Sequence, residues 1–352
     1  MSTKTLTARC HCGATNFTLT LPTSSLPLQT HLCHCTTCRT VHGAPAAFHA
    51  HLPDGVAPDF ISPSALDKTT GYRHAHAQAT RHFCSTCGCH IGDCAEDAER
   101  WYVSVSIFDA NANEGVWEIA EHVFTSSTKD GGLAALVPRI NGKEVRVWNP
   151  ENGSEGDTKH HDGSDEGEDT LLAKCHCGGV EFNISHPRRD FIDSPAGESW
   201  IRRFDPTRWL ASVDACSDCR LVTGTHVICW LFVPPDHISP RLPEDLLIGT
   251  SKSYKSSEDV HRTFCGRCGA TVFYSVRDRP EILDVAVGIL RHKDGFLLDD
   301  WAYWKTEKLG SQHDGIQYDE AFTRGLAEGM REWGRRKYGA RAQEISKAAP
   351  QV

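Results

Sequence analysis

The sequence predicts a mainly β protein made of two tandem copies of one domain, followed by a C-terminal helix. Three observations predict it: a cysteine framework that occurs twice, period-two alternation after each opening cysteine pair, and one helical apolar stripe confined to the last forty residues. The first framework runs Cys10-His11-Cys12-Gly13, Cys33-His34-Cys35-Thr36-Thr37-Cys38 and Phe83-Cys84-Ser85-Thr86-Cys87-Gly88. The second runs Cys175-His176-Cys177-Gly178, Asp214-Ala215-Cys216-Ser217-Asp218-Cys219 and Phe264-Cys265-Gly266-Arg267-Cys268-Gly269. Cys35 and Cys216 stand 181 residues apart, as do Cys84 and Cys265, so no net insertion separates these clusters. The repeat places one domain at 3–148, a linker at 149–170 and a second domain with the helix at 171–345.

Each opening pair leads into a half-buried strand. Phe17, Leu19 and Leu21 alternate with Asn16, Thr18 and Thr20; Val180, Phe182 and Ile184 alternate with Glu181, Asn183 and Ser185. Trp101, Val103, Val105 and Ile107 alternate with Ser104 and Ser106 and predict a further strand, whose counterpart is 282–289. Pro22, Pro27, Pro45, Pro53 and Pro58 disfavour long helices in the connections. At the end of the chain Phe322, Leu326, Met330 and Trp333 recur at helical spacing, which predicts a core-facing stripe. Arg331, Arg335, Arg336, Lys337 and Arg341 suit the negative end of that helix dipole. Between the copies, Glu151 to Asp169 is acidic, rich in Gly and Ser and without apolar period, as expected of a flexible linker.

At 352 residues the chain can bury two cores of ordinary size. Its net charge of −9 and pI of about 6.1 argue against phosphate-backbone binding as its main task. No apolar run approaches the roughly 18 residues of a membrane span, and no apolar signal segment follows Met1-Ser2-Thr3-Lys4-Thr5. We therefore expect a cytoplasmic protein with no nucleic-acid or membrane partner. In that setting its 16 cysteines read as metal-bound thiolates rather than a disulfide scaffold, and the sequons at Asn16, Asn152 and Asn183 as chance matches.

One C-x-C pair and one distant C-x-x-C pair can give four thiolates to a tetrahedral Zn²⁺. Cys10, Cys12, Cys84 and Cys87 form one such set; Cys175, Cys177, Cys265 and Cys268 form another. Disulfides or free buried thiols are the competing readings. Cys33, Cys35 and Cys38 form a compact triple, and three protein ligands with a vacancy are the arrangement of catalytic zinc. A fourth ligand from His31, His34, His42, Cys89 or Cys94 would close it. In the second copy Asp214 stands where the first has Cys33, leaving Asp214, Cys216 and Cys219, a weaker set expected to be degenerate. Cys89, Cys94 and Cys229 are expected to be small buried apolar residues, and His74, His76, His82, His160 and His161 surface or linker residues.

C-x-C-G, C-x-C-x-x-C and F-C-x-x-C-G in one β-rich domain resemble the glutathione-dependent formaldehyde-activating enzyme family, whose domain is shared with centromere protein V. The resemblance covers about Thr3 to Trp148 and Leu171 to Glu307, with local support from Cys38-Arg39, Gly43-Ala44 and Phe48, and from Ser256-Ser257, Arg262 and Phe264-Cys265. It implies a zinc-bearing β-tent fold, a structural zinc on Cys10, Cys12, Cys84 and Cys87, and a working zinc on Cys33, Cys35 and Cys38. It also implies reversible addition of glutathione to formaldehyde. Glutathione carries two carboxylates, which an arginine would suit, and Arg39, Arg73 and Arg81 are the candidates. The expected function is thus a zinc-dependent carbon–sulfur lyase acting on a glutathione or related thiol adduct, mainly through the first copy. A non-catalytic zinc scaffold that binds a partner is the alternative.

Overall fold

The computed structural model describes residues 2–75, 77–95, 100–150, 169–202 and 205–343. Nearly all of the acidic linker, with His160 and His161, and also His76, lie outside them. The chain is mainly β and each half builds one large sheet. In the first half the strands run, edge to edge, Arg146–Trp148, Trp117–Val123, Leu28–Cys33, Ala47–His51, Trp101–Ser104, His90–Ala95, Ala79–Cys84 and Thr69–Tyr72. The second half repeats that order from Ala302–Gly310 through Trp209–Asp214, Ile228–Val233, Leu283–Ala286, Thr271–Val276 and Val260–Cys265 to Ser251–Ser257. Among the described residues it has no counterpart of the edge strand Arg146–Trp148 in that sheet. In each half the strand entering the middle cysteine motif pairs in parallel with a later strand through one bulge.

The opening alternation buries the side chains it should. Phe17, Leu19, Leu21, Val180, Phe182 and Ile184 are all in the core, in strands Asn16–Pro22 and Glu181–Ser185 or just before them. The strand expected to run to Ile107 stops at Ser104, and 105–107 form a 3-10 turn; Leu283–Ala286 is likewise followed by a turn over 287–289. The reason is visible in the serines, which are buried rather than facing water. The Ser104 hydroxyl donates to the Gly224 carbonyl at 2.7 Å and accepts from Ser106 N–H at 3.2 Å, while Ser106 Oγ meets His226 Nδ1 at 2.7 Å. The polar half of the alternation is satisfied by the other half of the chain.

That contact belongs to a closed, approximately two-fold pairing of the copies. His11 Nδ1 lies 2.7 Å from Tyr254 Oη, and His176 Nδ1 lies 2.6 Å from Tyr72 Oη. His11 N–H donates to the Leu221 carbonyl and His176 N–H to the Thr40 carbonyl, at 3.1 and 3.2 Å. Gly43 and Gly224, both at φ +71°, approach the opposite sheet so closely that a Cβ on either would lie 2.3 Å from Thr271 O or 2.2 Å from His90 O. Phe83 and Phe264, equivalent in the repeat, meet edge to face at 6.5 Å. The histidine–tyrosine, backbone and glycine contacts come in reciprocal pairs, as in an isologous dimer interface, whereas the Ser104 and Ser106 bonds run one way, Val285 and Val287 standing at the equivalent positions.

The C-terminal stripe forms as expected, on a helix spanning Glu320–Tyr338. Asp319 caps it, accepting from Phe322 N–H at 3.0 Å, and also accepts from Trp117 Nε1 at 3.1 Å. Phe322, Leu326 and Met330 are buried and Trp333 is half-buried. The core they face is shared: Phe322 packs edge-on to Phe48 of the first half at 5.4 Å. At Gly325 and Gly329 a Cβ would lie 2.4 Å from Arg139 O and 2.2 Å from Leu136 O, so the helix seats directly on the first half.

Candidate active site and metal centres

In both copies the first and last cysteine pairs converge. The sulfur atoms of Cys10, Cys12, Cys84 and Cys87 all lie within 4.8 Å of one another, and so do those of Cys175, Cys177, Cys265 and Cys268. Cys10–Cys12 and Cys12–Cys84 sulfur separations are 3.5 Å; Cys175–Cys177 and Cys177–Cys265 are 3.6 and 3.5 Å. A tetrahedral zinc with Zn–S of about 2.3 Å requires sulfurs about 3.8 Å apart, so the sets fit such an ion with small adjustment. None of the sixteen cysteines forms a disulfide, which removes the disulfide reading of these clusters. Backbone N–H groups already point at the sulfurs: Thr15 to Cys10 at 3.3 Å, Val180 to Cys175 at 3.3 Å, Arg267 to Cys265 at 3.4 Å. Such donors favour thiolate. Crowded sulfurs also share protons, and the bond from Cys10 holds Cys12 down to about 7 while Cys10 is pushed up. Each cluster joins an early strand's end to a late hairpin and could hold a metal ion there.

The middle triple is set by a strand end and a short helix. Cys33 ends the strand Leu28–Cys33, and Cys35 is the N-cap of the helix Thr36–His42, its sulfur accepting from Cys38 N–H at 3.3 Å. Gly43, left-handed, ends that helix by donating to the Arg39 carbonyl at 2.8 Å. The three sulfurs lie within 4.8 Å of one another, with Cys33 and Cys35 at 3.5 Å. No fourth His, Cys, Asp or Glu among the described residues joins them. His34 is turned away to His122, with Nε2 and Nδ1 2.9 Å apart; His42 Nδ1 donates to the Cys38 carbonyl at 2.9 Å. Cys89, Cys94 and Cys229 are buried, as expected of small apolar residues.

Cys33 and Cys38 form part of the wall of a cavity of about 590 Å³, with His31, His49, Asp93, Tyr102, Glu121, Phe124 and Trp148 among its other lining residues. Burial pushes the His49 imidazole down to about 4 and raises the Asp93 carboxyl, although Arg81 opposes the second shift. His49 Nδ1 lies 3.7 Å from Asp93 Oδ2, and its Nε2 has no hydrogen-bond partner. Of the three arginines singled out in the sequence, Arg39 is buried and donates to the carbonyls of His34 at 2.9 Å and Ser127 at 3.0 Å. Arg73 is exposed and donates to Ala77 O at 3.2 Å. Arg81 is beside the triple: burial works against its charge, but Asp93, Cys38 and Cys35 outweigh that and hold it above its ordinary value. The arginine that lines the cavity is Arg146, paired with Glu121 at 2.8 Å. Nothing in its local sequence marks it; only the pairing of Arg146–Trp148 with Trp117–Val123 brings it there.

The second copy keeps the helix and loses the cavity's chemistry. Cys216 caps Ser217–Thr223 and Cys219 lies behind it, accepting from Arg262 Nη1 at 3.3 Å. The Asp214 carboxylate turns to the backbone, accepting from Cys216 N–H at 3.0 Å, and is also hydrogen-bonded by Ser311. The three do not form a compact ligand set among the described residues. In strand register, Ser212 and Trp230 stand where the first copy has His31 and His49, and Tyr274 where it has Asp93. Ser311 replaces Phe124, and both occupy the left-handed region, so the turn and not the side chain sets that conformation.

No curated protein matches this chain. The family model for glutathione-dependent formaldehyde-activating enzymes matches residues 5–127 and again 203–306. Both matches contain a middle cysteine motif and a closing C-x-x-C pair; the second begins beyond Cys175 and Cys177, which the structure brings to Cys265 and Cys268. Together the matches cover more than half of the sequence in the order the repeat demands, and the chain therefore belongs to the glutathione-dependent formaldehyde-activating enzyme family, in two tandem copies.

Proposed function

We propose that the protein is a zinc-dependent carbon–sulfur lyase that acts on an adduct of glutathione or a related small thiol. Its domains are 3–148 and 171–345, and the first carries the reaction. One observation supports this above the others: three sulfurs converge with no fourth protein ligand among the described residues, and two of them face a cavity large enough for a tripeptide. The chemistry a zinc ion supplies when held by Cys33, Cys35 and Cys38 is ionisation of an incoming thiol near neutral pH. The two four-sulfur clusters take structural zinc.

The residues around the triple can do the remaining work. Neutral His49 and the carboxyl groups of Asp93 and Glu121 line the cavity. For an S-hydroxymethyl adduct, a base among them takes the hydroxyl proton, the C=O bond forms, and the C–S electron pair leaves with sulfur as thiolate. The reverse sequence adds the thiol to the aldehyde. Arg146 is placed for a substrate carboxylate. Sixteen cysteines without a disulfide suit a reducing compartment such as the cytoplasm.

Cys35→Ser tests the reading, because serine is itself a good N-cap and should leave the helix folded. The parent should bind three zinc ions per chain and break down S-hydroxymethylglutathione. The variant should bind two and lose both the activity and glutathione binding. A variant that turns over the adduct like the parent would refute the assignment.

A further inference from the structure

The lyase reading names a sulfur adduct but not what the sulfur is joined to, and the strand register bears on that. Three adjacent strands place residues in rows across the cavity wall. Cys33 pairs with Val123 and Val123 with Trp148; two residues back, His31 pairs with Glu121 and Glu121 with Arg146. One row is therefore apolar and begins at a sulfur ligand; the other is polar and ends in a guanidinium. Strands lie about 4.8 Å apart, so Trp148 sits about 10 Å from Cys33, within reach of a group attached to the carbon that a bound sulfur carries.

The apolar row is reinforced where it meets solvent. Phe124 packs edge-on to Trp148 at 5.2 Å, and both line the cavity with Tyr102. Tyr102 and Trp148 are 39% and 47% exposed, two of the four large apolar side chains left exposed among the described residues. Scattered exposed apolar residues need no explanation, but their concentration at one cavity mouth marks a binding surface. A one-carbon adduct would leave this wall untouched. The second copy, whose sulfur triple is broken, has no such edge strand in its large sheet among the described residues and has Ser311 in place of Phe124.

Resting on the lyase reading, we propose that the substrate's electrophile-derived part carries an aryl or comparably large apolar group, which lies along Phe124 and Trp148 while a carboxylate of the thiol part pairs with Arg146. The wall thus selects conjugates of bulky apolar electrophiles over the formaldehyde adduct.

Calorimetric titration of the zinc-loaded full-length protein with glutathione, S-methylglutathione and S-benzylglutathione tests this without turnover. S-benzylglutathione should bind roughly tenfold or more tighter than S-methylglutathione, as expected for an added ring against two aromatic neighbours. Trp148→Ala should reduce that ratio to about threefold or less, and Trp148→Phe should restore most of it. If the parent binds glutathione but shows no preference for the benzyl conjugate, or if Trp148→Ala keeps the full preference, the inference fails and the lyase reading stands. If none of the three ligands binds, the lyase reading fails and takes the inference with it.

Discussion

Replacing Gly43 by alanine puts a methyl group at the meeting of the two copies, and the structure separates the two costs involved. The first is conformational: at φ +71° an L-residue loses about 1–2 kcal/mol relative to glycine. The second is steric. The new Cβ would lie 2.3 Å from the Thr271 carbonyl oxygen and 3.0 Å from its carbon, whereas ordinary contact needs about 3.2 Å to oxygen. Backbone must therefore move by nearly 1 Å in a packed interface, an overpacking cost of about 1–3 kcal/mol. Gly115 provides the reference, since it has φ +70° and nothing within 4 Å of its Cβ position. Gly43→Ala should lower unfolding free energy by about 2–5 kcal/mol and Gly115→Ala by only about 1–2, measured by urea denaturation of the zinc-loaded protein. Gly224→Ala, whose Cβ would lie 2.2 Å from His90 O, should match Gly43→Ala. Losses for Gly43→Ala and Gly115→Ala that agree within about 0.5 kcal/mol would refute the close approach of the copies, and with it the pairing derived from it.

Other perturbations probe the same architecture. Tyr72→Phe and Tyr254→Phe each remove one of the reciprocal bonds to His176 and His11; each should cost about 1 kcal/mol, and equal losses in a thermal or urea series would support the two-fold relation. His122 is fully buried and burial lowers its pKa to about 4, below the ordinary 6.5. The folded state therefore resists the proton: stability from this site is complete above about pH 6.5 and falls as pH drops toward 4, by about 1 kcal/mol at pH 5.5. His122→Gln should flatten part of the stability–pH curve between 7 and 5, and an unchanged slope would remove His122 from the account. Asp214→Cys restores the sulfur missing from the second copy, beside an Arg262–Cys219 contact like that of Arg81 with Cys38. Zinc content should rise by one ion per chain, and unchanged content would show that the strand end there no longer presents a ligand inward.

The parts of the site that were legible in the sequence are those set by local chain geometry. C-x-C and C-x-x-C spacings fix which sulfurs share a turn, and the recurrence of both at matching distances told which turns meet. The amphipathic stripe at Phe322, Leu326 and Met330 was equally local. What escaped was decided by partners distant in sequence. Ser104 and Ser106 alternate with valines as if they faced water, yet they bond Gly224 and His226 across the copies. Arg39 adjoins Cys38 and looked suited to a carboxylate, but it is committed to the His34 and Ser127 carbonyls. Arg146, Phe124 and Trp148 reach the cavity only through a parallel strand pairing, and parallel register leaves no signal in a single sequence.

The two copies differ around the middle cysteine motif while keeping several reciprocal contacts where they meet. His11 and His176, Tyr72 and Tyr254, Gly43 and Gly224 all keep their reciprocal roles, and both four-sulfur clusters are complete. Against this, His31, His49 and Asp93 face Ser212, Trp230 and Tyr274 in the same register, and Cys33 faces Asp214. The pattern is that of a pair in which one member keeps the compact sulfur triple and the other supplies half of a closed interface. The end of the helix Thr36–His42 shows why that half is needed: the helix that Cys35 caps and that carries Cys38 ends at Gly43, and what stands against Gly43 is the Thr271 backbone of the second copy. The ligand helix of the first copy is thus held in place by the second, and damage to the second copy's core should register as loss of metal from the first.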